Sequence, residues 1–212
     1  MLRAYEKNCP QTYHEAVKQV LKDLSYNKKE RNLLLTHQFV VDGQMCPETS
    51  ESEIKLIGGI EAVDVSCFER FDYTALGHIH RAQKIKTEWI RYAGSPLAYS
   101  FSEVNDKKGI TVVELKEKGN VEISAVPLHP LRDMRKIRGS YMEVTAKSFY
   151  ENGNCEDYLH VTLTDEEDVL DGLQKLRVIY PNIMQLEYDN RRTRENMELT
   201  GAKAVEKKSE ME

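Results

Sequence analysis

The stretch Tyr73-Thr74-Ala75-Leu76-Gly77-His78-Ile79-His80 decides the fold. Its apolar run reads as a buried strand, and the two histidines that follow sit at that strand's carboxyl end, where open α/β sheets place their ligands. Residues two apart on an extended backbone face the same side, roughly 7 Å apart, a spacing that suits two imidazoles addressing one metal cluster. Gly77 removes a side chain where a metal or phosphate would approach. About forty residues earlier, the run from Asn32 to Thr36 reads as a second strand, covered on both faces, and ends in His37. His37, His78 and His80 are therefore the candidate metal ligands. Imidazole combined with carboxylate suits manganese, iron or zinc.

Working outward, Thr12 and Glu15 form a capping box for a helix from Tyr13 to about Leu24, with Ala16, Val17, Val20, Leu21 and Leu24 as its apolar stripe. The polar segment from Asp42 to Ser52 reads as a loop leading to Ile54–Gly59 and Val63–Val65, and a short helical turn is expected around Cys67 to Phe71. Further strands are expected at Gln83–Lys86, Trp89–Ala93, Gly109–Leu115 and Val121–Val126. Pro127 and Pro130 interrupt this pattern, which places a domain boundary near residue 126. Beyond it the sequence predicts a small α+β unit. Its elements are a strand near Met134–Ile137, a helix over Tyr141–Phe149, a strand Tyr158–Leu163, a helix Asp165–Ile179 boxed by Thr164 and Glu167, and a strand Ile183–Tyr188. Residues 191–212 read as a polar linker or tail.

The chain has 212 residues and a net charge of −5, which argues against bulk electrostatic coating of nucleic acid but leaves room for local basic clusters. One such cluster is Arg81, Lys84, Lys86 and Arg91; another is Arg132, Arg135, Lys136 and Arg138. Either can meet phosphates, or serve as solvated strand edges that discourage edge pairing. The four cysteines, Cys9, Cys46, Cys67 and Cys155, are too dispersed for a disulfide framework and read as reduced thiols. With no signal-like start and no apolar run of spanning length, the expectation is a cytoplasmic protein outside the membrane.

Phosphodiester hydrolysis is well served by two metal ions about 4 Å apart. A histidine after a buried strand, followed about forty residues later by Gly-His-x-His, resembles the last two signature motifs of the calcineurin-like metallophosphoesterases. The segments Phe71–Gln83, Arg91–Glu103 and Lys108–Leu115, with Leu34–Val40, Val126–Arg132 and Tyr158–Asp165, resemble more closely the SbcD, or Mre11-like, family of nuclease subunits. That resemblance implies a partial metallophosphoesterase β-sandwich with flanking helices over residues 1–126 and a small α+β capping domain over 127–190, an α/β chain overall. It implies that His37 and His78 ligate one metal ion and His80 the other, with two divalent ions, manganese by preference, as cofactors. It further implies a metal-dependent double-strand exonuclease and single-strand endonuclease acting in DNA replication and recombination. The implied partners are an SbcC-like ATPase, double-stranded DNA ends and hairpins, and a second copy of the nuclease chain.

The family's Asp-x-His, Gly-Asp-x-x-Asp and Gly-Asn-His-Asp motifs do not occur in this sequence, and Gly119-Asn-Val and Gly153-Asn-Cys do not substitute for them. The expectation is a chain truncated at both ends relative to the family, inactive by itself, and without an acid histidine. The alternative is a non-catalytic DNA- or partner-binding module derived from a phosphoesterase. A phosphatase acting on small phosphomonoesters is disfavoured by the cap-like second unit. Ser95, in Gly94-Ser-Pro, is read as a tight-turn residue beside the metal face and, with Arg81 and Lys84, as a candidate DNA contact. Trp89, Tyr92 and Tyr99 are read as packing residues, His14 as solvent-facing, and His129 and His160 as structural.

Overall fold

The computed structural model describes residues 10–53 and 61–194. The segment Ile54–Gly59, Cys9 and most of the polar tail therefore lie outside the described residues. The architecture is mixed α/β, in two compact units, Met1–Pro130 and Leu131–Glu212.

In the first unit, helix α1 (Tyr13–Asp23) starts as its sequence predicts. Thr12 Oγ1 accepts from Glu15 N–H at 3.1 Å, Glu15 returns a bond to the Thr12 backbone, and Ala16, Val17 and Leu21 are buried. Strands β1 (Leu33–His37) and β2 (Phe39–Val41) follow, then β3 (Ala62–Asp64), which pairs in parallel with β2. The main sheet adds β4 (Tyr73–Gly77), β5 (Gln83–Ile85) and β6 (Thr87–Tyr92), in the order β1-β4-β6-β5. The β1–β4 and β4–β6 pairs are parallel, and β5 closes the sheet antiparallel to β6. The hairpin β7 (Gly109–Leu115) and β8 (Val121–Pro127) forms its own two-stranded ladder. Pro127 ends β8 instead of interrupting the pattern, because an outer position needs no amide donor.

Beneath the main sheet a core of Val40, Val63, Val65, Phe68, Leu76, Ile90 and Tyr92 is almost wholly removed from water. Tyr92 is its polar pin: the phenol donates to Gln38 O at 2.9 Å and accepts from Val40 N–H at 2.8 Å. Burial pushes that phenol up to about 12, so it remains a neutral donor. The expectation that β1 is covered on both faces is overturned. Among the described residues β1 is an edge strand, and Leu33 and Leu35 are 41% and 73% exposed while Leu34 packs inward. His14 also departs from its expected place, since its Nδ1 accepts from Asp64 N–H at 3.2 Å.

The second unit is a parallel three-stranded sheet in the order β11-β10-β9, built from β9 (Met134–Gly139), β10 (Tyr158–Leu163) and β11 (Ile183–Tyr188). Leu159, Val161 and Leu163 of the central strand are fully buried with Val144, Leu176 and Tyr180. The helix predicted over Tyr141–Phe149 is two short ones, α2 (Tyr141–Val144) and α3 (Lys147–Tyr150). They are broken where Ala146 turns extended and the Thr145 hydroxyl bonds Tyr141 O at 2.7 Å. The helix predicted over Asp165–Ile179 is confined to α4 (Gly172–Arg177). Its intended first turns are taken over by tertiary partners: Asp165 accepts from Tyr141 N–H, Asp168 pairs with Asn190 and Arg192, and Asp171 lies in the left-handed region at φ 53°.

Candidate metal-side histidine cluster

Parallel pairing of β1 with β4 sets His37 opposite Gly77, so His37 and His78 emerge at neighbouring strand ends. Their rings meet edge to face with centroids 5.3 Å apart, and Phe39 lies edge-on to His78 at 6.1 Å. Gly77 favours this approach, since a Cβ there would sit 2.7 Å from His37 Nδ1 and the imidazole would have to move. His78 itself holds φ at 103°, a conformation few side-chain-bearing residues adopt and one that clusters at functional sites. Burial lowers the His78 pKa, and the neighbouring His37 lowers it further, both favouring the neutral imidazole that binds metal.

His80 is held differently. Its backbone N–H donates to the Glu53 carboxylate, its carbonyl accepts from Ser95 N–H at 2.9 Å and from Lys108 Nζ at 2.9 Å, and its ring leans on Tyr99 with centroids 5.2 Å apart. Its Nδ1 lies 2.9 Å from Ser52 Oγ, which in turn donates to Glu103 Oε1 at 2.7 Å. Glu103 ends a 3-10 turn at Phe101–Glu103, and its side chain is fully buried. Lys108 Nζ donates to its Oε2 at 2.6 Å, and Ser100 Oγ to its Oε1 at 2.9 Å. Burial alone would raise this carboxyl, but the bonds from Lys108, Ser52 and Ser100 and the lysine's charge outweigh it and hold it at about 2.

The other predicted site residues lie around this cluster. Ser95 is 6% exposed, and its hydroxyl donates to Leu97 O at 2.7 Å and accepts from Lys108 Nζ at 3.0 Å. Its turn depends on Gly94, where a Cβ would meet Ala82 N at 2.8 Å and φ is +78°. Arg81 is bound between Glu48 and Asp106, and Lys84 pairs with Glu88. In the second basic cluster, Arg132, Arg135 and Arg138 pair with Glu156, Asp157 and Asp189. Cations without a carboxylate partner among the described residues stand elsewhere. Lys22 and Lys28 line a cavity of about 600 Å³ with Arg70 and Lys118, beside Asn32 at the start of β1 and so at the sheet end away from the histidines.

Ser52, Glu103 and Lys108 were not singled out by sequence reasoning. Trp89 and Tyr99, read as packing residues, are 45% and 61% exposed. Among the described residues no three histidine, cysteine, aspartate or glutamate side chains are grouped so as to hold a metal ion. These residues do not by themselves make the two-metal centre that the resemblance implies. Nor is any described helix long and apolar enough to cross a membrane.

Residues 130–212 match the SbcD C-terminal family model, described as a Type 5 capsule protein repressor C-terminal domain. The chain is similar to the SbcD component of the SbcCD nuclease of Staphylococcus epidermidis, 37% identical over 179 residues that cover 83% of this chain and 46% of the relative. It is also similar to the protein of the same name from Staphylococcus saprophyticus, 34% identical over 185 residues, 86% of this chain and 48% of the relative. The chain spans about half the length of the curated relatives it matches.

Proposed function

We propose, from the premise that this chain is an SbcD-like protein, that it serves DNA end processing as part of a nuclease paired with an SbcC-like ATPase, acting on duplex ends and hairpins. The observation that supports this best is the meeting of His37 and His78 at the carboxyl ends of two parallel strands, with Gly77 cleared to let them approach. A metallophosphoesterase centre of two divalent ions, manganese by preference, supplies the Lewis acidity and the activated water for phosphodiester hydrolysis when its ligand set is complete. The histidine side of such a set is His37, His78 and His80. Among the described residues no histidine, cysteine, aspartate or glutamate completes a group of three that could hold a metal ion, so on this reading another polypeptide segment brings the remaining ligands. The chain alone is then a poor nuclease. Lys22 and Lys28, beside Arg70, offer the phosphate backbone a more available surface than Arg81 and Lys84, whose charges are already matched.

The test is cleavage of a linear duplex and a hairpin by the purified chain, with manganese and with a chelator, and with and without an SbcC-like ATPase. Little cleavage by the chain alone is expected. Manganese-dependent cutting at the rate of a complete nuclease overturns the divided ligand set. Salt-dependent DNA binding that ignores both manganese and chelator favours instead a non-catalytic binding module.

A further inference from the structure

We propose that Glu103, acting through Ser52, is a positioning residue that fixes the His80 imidazole in its Nδ1–H tautomer and so presents the lone pair of Nε2. The argument is a count of hydrogens. Ser52 Oγ carries one proton and lies within bonding distance of three groups: Glu103 Oε1 at 2.7 Å, His80 Nδ1 at 2.9 Å and Ser50 Oγ at 2.9 Å. An ionised carboxylate only accepts, so the serine proton must go to Glu103. At 2.7 Å the alternative would set a carboxylate oxygen against a hydroxyl lone pair, with no proton between them.

With its proton spent, Ser52 can only accept from the other two neighbours. Ser50 has a hydroxyl proton to give, and His80 meets the requirement only if Nδ1 bears the hydrogen. In the neutral ring the second nitrogen, Nε2, is then the acceptor. The carboxylate that starts this chain of bonds is itself fixed. Lys108 donates to its Oε2 and Ser100 to its Oε1, and Lys108 also grips Ser95 Oγ and the carbonyl of His80. One buried lysine thus ties the backbone that carries the ring to the carboxylate that sets its proton. Such outer partners commonly fix the tautomer of a ligating histidine. The tautomer follows from this chain's own hydrogen bonds, and only the use made of Nε2 rests on the proposed nuclease reading.

The test is side-chain nitrogen NMR on the full chain labelled with 15N-histidine, at a pH where the imidazoles are neutral, with the His80 signals assigned by their loss in H80N. The expected result is a pyrrole-type Nδ1 and a pyridine-type Nε2, in an excess on the order of ten to one. S52A should bring the two tautomers towards parity, and S52T, which keeps the hydroxyl, should restore the excess. E103Q should also erode it, because an amide can donate to Ser52 and free the serine proton for His80. A pyridine-type Nδ1 in the unmodified chain, or an S52A spectrum unchanged at His80, overturns the proposal. Ser52 is exposed, so S52A decides the matter even where E103Q fails to fold. The expected tautomer found together with DNA binding that ignores both manganese and chelator leaves this assignment standing and counts against the functional reading alone.

Discussion

The largest sheets of the two units treat their apolar surface differently. In the second unit the central strand β10 buries Leu159, Val161 and Leu163 completely, and Val144, Leu176 and Tyr180 close over them. In the first unit the strand that carries His37 leaves Leu33 and Leu35 open to solvent at the sheet's edge. Besides its apolar core, that unit encloses a polar pair, the carboxylate of Glu103 with Lys108, beneath His80. The second unit shields its central strand completely, whereas the first adds to its core a buried carboxylate beneath a histidine and exposes apolar residues on the strand that carries His37.

The sharpest way to break this contrast is to remove the buried cation. Lys108→Met leaves Glu103 sealed without its partner, and the expected loss is about 4 kcal/mol in the first unit. Trp89 is the only tryptophan and lies on β6, so its fluorescence during urea unfolding reports that unit while circular dichroism follows both. In the second unit Leu163→Ala should cost about 3 kcal/mol by the loss of packing and the cavity left behind. It should shift the dichroism and leave the Trp89 transition in place.

Acid separates the units next. Glu103 is held at about 2 against an ordinary 4.5, so the stability it contributes is complete above about pH 4.5 and fades as pH falls towards 2. That difference corresponds to about 3 kcal/mol at full effect. The Trp89 midpoint in urea should therefore fall between about pH 4.5 and 2.5, and the fall should shrink in Glu103→Gln. A slope that Glu103→Gln leaves unchanged would show that other carboxylates carry it.

Two smaller effects sharpen the picture of the histidine edge. Gly77→Ala drives a methyl into the His37 ring and should cost about 1–2 kcal/mol, with displaced imidazole signals for His37 in NMR. Leu35→Thr, at a site 73% exposed, should change stability by no more than about 0.5 kcal/mol. A loss of about 2 kcal/mol or more would mean that the edge is covered in solution.

Much of the fold was legible because its signals are local. The Thr12–Glu15 box starts α1, and apolar runs ending at His37 and Gly77 mark strands whose parallel register brings His37 to His78. The helix expected from Asp165 failed for a tertiary reason. Asp165 and Asp168 favour a first turn by composition, yet their carboxylates are drawn to Tyr141 N–H, Asn190 and Arg192. The exposure of Leu33 and Leu35 was equally hidden, since an apolar run does not say how many neighbours its strand has. The support of His80 was the least visible part. Nothing local to Ser100-Phe101-Ser102-Glu103 points to Ser52, and only the folded chain brings Glu103 to it across fifty-one positions.

The parallel pairing of β1 with β4 also dictates when the histidine pair comes into being. Asn32 and Asp72, which bond at the entrance to that pair, are forty residues apart, as are the register partners His37 and Gly77. No turn of two residues can nucleate such a ladder. The intervening chain must be closed as a loop before any interstrand bond repays the entropy. The β7–β8 hairpin, by contrast, zips from its own turn. Refolding followed stepwise should therefore show the hairpin amides protected from exchange early and those of β1 late, so that His37 reaches His78 among the last events of folding.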